Sequence, residues 1–353
     1  MTYTDFEDPA CVEVRTKWNA LQLVTAQKNS EIRQKGGIKS SIVAKVKKGD
    51  TLYLQEELDN WSRVATADGY SGYIKKEVLS DPKDDNEEHA STVPEYTNIS
   101  KDYKINLAFH QVTSMDGNAT LAQMVADAQG GNTISPTWFS VTDNNGTISS
   151  LASADYVNQA HAMGMEVWGL IDNFNSGTDN LTFLSSTAVR ANIIQQLMTQ
   201  AASVGLDGIN LDFESITEEQ APHYIQFVRD LSIACRNQGI VFSIDDPVPT
   251  YSKHYDRTEQ GIVADYVVIM GYDETLPSSE TPGPVASLNF VRKGITDTLN
   301  VVDKSKIING IPFYSRVWCT TPDGTVSAFA CGMSEALSYL TDHGVTPQFL
   351  EDI

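Results

Sequence analysis

Asn210, Asp212 and Glu214 alternate with Ile209, Leu211 and Phe213. A period of two is the signature of a β-strand, with the apolar set on one face and the polar set on the other. Neighbours on the polar face lie about 7 Å apart. Carboxylates on a buried face lose their hydration, so the stripe is either an exposed edge strand or a site. The flanks favour a site. Helical patterns run from about Ala188 to Val204 before it and from about Glu219 to Gln238 after it. Helix, strand, helix reads as a parallel sheet covered by helices, whose strands are normally apolar on both faces. A polar stripe ending at the strand's C-terminal end then suggests the inside and mouth of a barrel. Two carboxylates there can donate and accept protons.

The elements that must position this strand begin near Lys101. Strands are predicted over Ile105–His110, Thr133–Phe139, Glu166–Ile171, Gly208–Phe213, Ile240–Ile244, Tyr266–Met270 and Ile307–Ile311. Helices are predicted over Ser153–Met163, with Ser153 as the cap, and over Val189–Ser203, Glu219–Asn237 and about Pro284–Asn300. Seven strands with intervening helices point to an α/β fold, a (β/α)₈ TIM barrel. No G-x-G-x-x-G follows the first strand, which counts against a dinucleotide-binding sheet. An eighth strand is not found. Cys319 to Cys331 reads as loop and Ser334 to His343 as one short helix, so the barrel over 101–353 is expected to be open or incomplete at its C-terminus.

Reactive residues in such barrels sit at strand C-termini. Here those are His110, Gln111, Trp138, Asp172, Asn173, Asp212, Glu214, Asp245, Asp246, Met270, Tyr272, Asp273, Phe313, Tyr314 and Arg316. The set is rich in carboxylates and aromatics. Aromatic faces pack on sugar rings, and carboxylates bond hydroxyls and move protons. Phosphate chemistry would want more Arg and Lys or a glycine cradle. The six scattered histidines show no metal-ligand spacing, so neither metal nor cofactor is expected. A glycan fits best.

Residues 1–10 read as an acidic arm. Residues 11–80 are β-rich, with strand candidates at Val12–Arg15, Leu21–Val24, Thr51–Gln55, Trp61–Thr66 and Gly72–Ile74 and a hairpin turn at Asp68-Gly69. Short strands at even spacing argue for a small all-β barrel. Residues 81–100 carry five acids in their first eight positions and two prolines, the composition of a linker. The net charge of −21 argues against nucleic acid and anionic membranes, but not against a neutral polysaccharide. No stretch reaches the length of a membrane span. Cys319 and Cys331 could bridge a loop or remain free thiols.

Two resemblances carry these readings further. Glu31-Ile32-Arg33, Lys39-Ser40-Ser41-Ile42, Gly49-Asp50, Trp61 with Val64, and Asp68 to Ile74 resemble a bacterial SH3-like domain. Such domains often bind cell-wall peptides and often act as spacers, and Trp61, Tyr70 and Tyr73 could belong to a groove or to the core. Asp207 to Glu214 resembles the D-G-x-D-x-D-x-E signature of glycoside hydrolase family 18. Val268 to Asp273 is similar to that family's M-x-Y-D segment, and Gly310 to Arg316 to its seventh-strand ending. Ile134 to Ser140 is similar to the second strand of its spore-cortex and cell-wall glucosaminidase branch.

This resemblance implies substrate-assisted, retaining hydrolysis of β-1,4 bonds next to N-acetylglucosamine in peptidoglycan, spore cortex or chitin. Glu214 is implied as proton donor, Asp212 as the group that holds the acetamide nitrogen, and Tyr272 as the group that bonds its oxygen. Asn210, Asp207, Met270, Asp273, Trp138, Tyr314 and Arg316 are expected around the sugar. Asn210 stands where the motif has its middle aspartate. An amide there could still bond Asp212 but would not repel its charge, so Asp212 is expected to ionise more easily. The implied location is the exterior or envelope of a bacterium, with an export signal or anchor outside this sequence. A binding-only, lectin-like protein on the same scaffold is the alternative, and an assembly module using the open barrel edge is a third reading.

Overall fold

The computed structural model describes residues 22–84, 97–346 and 348. The acidic arm, Cys11, the strand expected at Val12–Arg15 and residues 85–96 of the expected linker lie outside the described residues. The chain divides into two compact units between Glu95 and Tyr96.

The first unit is built from β1 (Gln22–Thr25), β2 (Ser30–Arg33), β3 (Ile42–Val46), β4 (Thr51–Glu57), β5 (Trp61–Ala65), β6 (Ser71–Lys75) and β7 (Lys83–Asp84). They form one antiparallel sheet in the order β3-β2-β6-β5-β4-β1-β7. Alternate residues of these strands turn inward, and Val24, Ile32, Leu52, Val64 and Ile74 make the core. The turn between β5 and β6 falls at Asp68-Gly69 as expected, with Gly69 at φ +98°, a conformation that favours glycine. Trp61, Tyr70 and Tyr73 are half-buried rather than in the core. Trp61 borders a cavity of ≈ 590 Å³ together with Arg33, Lys45 and Lys75.

The second unit carries β8 (Leu107–His110), β9 (Thr133–Val141), β10 (Ile148–Ser150), β11 (Glu166–Asp172), β12 (Gly208–Asp212), β13 (Val241–Pro247), β14 (Tyr266–Met270) and β15 (Ile307–Gly310). Strands β8, β9, β11, β12, β13, β14 and β15 run parallel in that order. β10 folds back antiparallel on the end of β9. Helices Ala154–Ala162, Thr187–Val204, Ala221–Gln238 and Leu288–Leu299 alternate with these strands. This is the curled parallel sheet of a TIM barrel, and all seven expected strands are present. Among the described residues β8 and β15 do not pair with each other. A cleft of ≈ 380 Å³ separates them, lined by Leu107, Phe109, Ile308 and Pro312.

Local chemistry explains the boundaries. Ser153 Oγ accepts from Tyr156 N and caps its helix. Gly205, at φ +77°, ends the helix Thr187–Val204 and turns the chain into β12. The apolar set Ile209, Leu211 and Phe213 faces the helices, where Phe213 stacks on Phe227 at 5.3 Å between ring centroids. The inside of the sheet is filled at its N-terminal end by Trp168 stacked on Tyr266 at 5.6 Å, with Val241 beside them. Gly208 opens β12 because a Cβ there would lie 2.8 Å from the Trp168 ring.

One expectation is corrected, and of the two alternatives for Cys319 and Cys331 the free thiols hold. Cys319–Cys331 is not a loop: β16 (Tyr314–Thr320) and β17 (Val326–Gly332) form an antiparallel hairpin, followed by the helix Met333–Asp342. Cys319 pairs with Ser327 and Cys331 with Ser315, four rows away, a separation of about 13 Å. A disulfide needs Cα atoms within about 7 Å, and both thiols are free. The expected linker is ordered at its two described ends. Lys83 and Asp84 pair with β1, while Ile99 N donates to Asp265 Oδ1 at 2.7 Å and Lys101 N to Tyr266 Oη at 2.9 Å.

Candidate active site

The polar face of β12 rises through the inside of the barrel in layers. Asn210 is wholly buried above Trp168. Ser243 Oγ donates to Asn210 Oδ1 at 2.5 Å, and Asn210 Nδ2 donates to Asp245 Oδ2 at 2.6 Å. Both ends of the amide are thus engaged by β13.

Asp212 occupies the next layer. It pairs in register with Asp172 on β11. On the other side, Leu211 pairs with Ile244, which sets Asp245 of β13 beside Asp212. Asp212 Oδ1 and Asp245 Oδ1 are both buried without a hydrogen-bond partner. Burial, then the charges of Glu214 and Asp172, pushes the Asp212 pKa up to about 8. Having an amide rather than a carboxylate at position 210 spares Asp212 one like charge, but desolvation beside two others still keeps it hard to ionise. Burial and the neighbouring Asp212 also hold Asp245 well above the usual carboxylate range. Asp246 faces a different environment. Gln260 Nε2 donates to its Oδ1 at 3.0 Å and Arg257 Nε lies 3.4 Å from its Oδ2.

Glu214 follows at the rim. Asn173, at the end of β11, brackets it: Glu214 N donates to Asn173 Oδ1 and Asn173 Nδ2 donates to Glu214 O, each at 2.9 Å. Tyr255 Oη donates to Phe213 O at 3.1 Å, and the chain then turns sharply at Ser215, φ +55°. Burial, then the charges of Asp273 and Asp172, raises the Glu214 pKa. A carboxyl so placed keeps its proton at higher pH than an exposed glutamate, as a general acid requires.

Glu214 opens into a cleft of ≈ 500 Å³ that also contains Met270, Tyr272, Asp273 and Tyr251. Tyr251 is 59% exposed and offers an aromatic face at its edge. Burial, then Asp245, raises the Tyr272 pKa, so its hydroxyl stays a donor. Asp273 has φ +59°, an uncommon conformation for a side chain with a Cβ. Two groups hold it there. Tyr314 Oη donates to Asp273 Oδ1, and Arg316 Nη2 donates to the same oxygen at 2.6 Å. Arg316 Nη1 donates to Thr275 O at 2.6 Å.

Glu214, Met270, Tyr272 and Asp273 thus share one cleft, with Asp212 and Asn210 beneath Glu214 on the same strand face. Tyr314 and Arg316 reach it through Asp273. Two expected residues lie elsewhere. Trp138 is 1% exposed, donates through Nε1 to Asn118 Oδ1 at 2.8 Å and packs edge-on against Tyr156, so it belongs to the core. Asp207 precedes β12 at the N-terminal end of the barrel, where it accepts from Val167 N at 2.8 Å and faces His161 Nε2 at 2.7 Å. Asn173 and Asp245, both strand-end residues with no role assigned from sequence, turn out to contact Glu214 and Asn210.

The bacterial SH3 domain model matches residues 26–81. YvbX of Bacillus subtilis, an uncharacterized glycosylase, is 29% identical over 198 residues, covering 52% of this chain and 57% of that protein. The chain thus spans little more than half the length of that curated relative. Among solved structures, the chitinase of Chromobacterium violaceum superposes with TM-score 0.61 at 20% identity, covering 70% of this chain and 79% of that one. The spore cortex-lytic enzyme SleL of Bacillus cereus superposes with TM-score 0.60 at 20% identity, covering 69% of this chain and 59% of its own. The glycosyl hydrolases family 18 model matches residues 86–345, and with the barrel and the β12 motif in place the chain belongs to that family of glycoside hydrolases.

Proposed function

We propose that this protein hydrolyses β-1,4 bonds next to N-acetylglucosamine in a bacterial cell-wall glycan, peptidoglycan or spore cortex, with net retention at the anomeric carbon. The observation that carries the reading is the vertical pair at the end of β12: Glu214, its pKa raised by burial, at the rim of the cleft and Asp212, its Oδ1 buried, one layer below. Glu214 donates its proton to the leaving glycosidic oxygen. The acetamide oxygen of the substrate attacks the anomeric carbon, giving a cyclic oxazolinium, so no protein nucleophile is needed. Asp212 accepts from the acetamide N–H and offsets the positive charge of that ring. Tyr272 donates to the acetamide oxygen and aligns it. Glu214, now ionised, removes a proton from the water that opens the ring. Met270 and Asp273 shape the sugar site, and Arg316 and Tyr314 fix Asp273.

Cell wall is favoured over chitin by the SH3 domain and by likeness to a protein named as a spore cortex-lytic enzyme. An extracellular or envelope location follows from that substrate, and a wall peptide is the proposed ligand of the SH3 domain. Purified peptidoglycan and an N-acetylglucosamine tetramer, each incubated with wild type and Glu214→Gln, test the assignment. Sugar release by wild type and its loss in the variant, with binding kept, support it. Wild type that binds but never cleaves would favour the lectin-like alternative.

A further inference from the structure

The carboxylate missing from position 210 has a counterpart on the next strand. Asn210 Nδ2 holds Asp245 Oδ2 at 2.6 Å, and the strand register sets Asp245 level with Asp212. Asp245 is 2% exposed. Its Oδ1 and the Oδ1 of Asp212 are each buried and each without a partner. Two adjacent buried carboxyl groups with one orphan oxygen apiece are satisfied together by one shared proton, which serves as donor for one and is accepted by the other. Among the described residues no cation pairs with either carboxyl, and Arg257 is engaged by Asp246.

We propose that Asp245 is the positioning and proton-holding partner of Asp212, doing from β13 what a carboxylate at position 210 would do from β12. The inference rests on the role of Asp212 given above. In the free enzyme the pair carries one proton and one negative charge. As the acetamide N–H docks and positive charge grows on the sugar, the proton held by Asp212 passes to Asp245 Oδ1. Before the transfer Asp212 is neutral and Asp245 ionised; after it Asp212 is ionised and Asp245 neutral, so charge and protons balance. Asn210 is the fixed donor that keeps Asp245 Oδ2 bonded in both states. The other titratable groups facing the pair are Asp172 from β11, Glu214 above, Asp246 on β13, Tyr272 beyond β14 and Tyr224 from the helix Ala221–Gln238. The carboxylates among them are acids whose charges disfavour a second ionisation within the pair.

The test uses the full chain, two variants and one spectroscopic titration. Asp245→Asn is expected to lower kcat roughly tenfold or more with KM nearly unchanged, and Asn210→Asp with Asp245→Asn to restore most of it by returning the carboxylate to β12. In carboxyl-carbon NMR of labelled aspartate, Asp212 and Asp245 of wild type are expected to titrate as a pair, in two steps, the upper well above the usual carboxylate range. In Asp245→Asn the remaining Asp212 is expected to titrate lower. An unchanged kcat in Asp245→Asn, a loss the double variant does not repair, or independent titration of the two carbons would overturn the proposal. If Asp245→Asn does not fold, the wild-type titration decides alone. Absence of any sugar release by wild type would contradict the proposed function, not the pair, whose titration is read without substrate.

Discussion

Asn173 grips Glu214 by both main-chain groups, taking its N–H and bonding its carbonyl at 2.9 Å each. The side chain of Glu214 is thereby aimed from a fixed backbone just before the left-handed turn at Ser215. Asn173→Ala is expected to lower kcat by roughly tenfold, since a rim carboxyl that drifts by about 1 Å loses alignment with the leaving oxygen. Steady-state kinetics check this, and an unchanged kcat would show that the bracket does not set the acid's position.

Asp273 contributes to the raised pKa of Glu214. The acid works only while protonated, so a raised pKa moves the basic limb of the pH profile upward. Asp273→Asn removes a negative charge and leaves Arg316 uncompensated nearby, and both effects favour ionised Glu214. The basic limb of kcat/KM is expected to fall by about half a pH unit or more. A limb that stays in place or rises would contradict this electrostatic assignment.

Arg316 joins Asp273 to Thr275 O, and its side chain is almost wholly buried while that of Asp273 is partly open to solvent. Arg316→Met removes one of the two side-chain bonds that hold Asp273 at positive φ. Urea denaturation is expected to show a loss of about 1–3 kcal/mol, with KM rising as the sugar site loosens.

Asp212 binds its proton far more tightly in the folded chain, with a pKa of about 8 against an ordinary 3.8. A raised carboxyl pKa favours the folded state fully below pH 3.8, and that advantage is lost as pH rises toward 8. Thermal melts of wild type and Asp212→Asn between pH 4 and pH 8 isolate the contribution. The variant is expected to gain Tm relative to wild type as pH rises, at about 2–4 °C per kcal/mol, while losing activity. A constant difference across that range would contradict the shift.

Sequence periodicity located the barrel strands because each has a short apolar run bounded by turn residues. It located Asp212 and Glu214 because polar positions alternate on β12. Strand-end position alone did not separate the two faces of a strand, and Trp138 accordingly fell on the helix-facing side. Asp207 matches the motif but lies before β12, where it ties β11 to β12 at the far end of the barrel. The β16–β17 hairpin had a turn signal at Asp323-Gly324, but its strands mix Ser, Thr, Ala and Cys among Val317, Trp318, Val326 and Phe329 without strict alternation. Asp245 was visible as a residue and not as a partner, because its meaning depends on lateral register with Asn210 and Asp212, which single-strand patterns do not encode.

The central claim is that the substrate's own acetamide group, oriented by Asp212 and Tyr272, is the nucleophile. The most direct measurement compares initial rates on a β-1,4 N-acetylglucosamine tetramer and on its fully de-N-acetylated counterpart at equal saturation. The account predicts cleavage of the acetylated tetramer, with retained anomeric configuration in the first product, and none of the other. Equal cleavage of both tetramers, or inversion at the anomeric carbon, would contradict it.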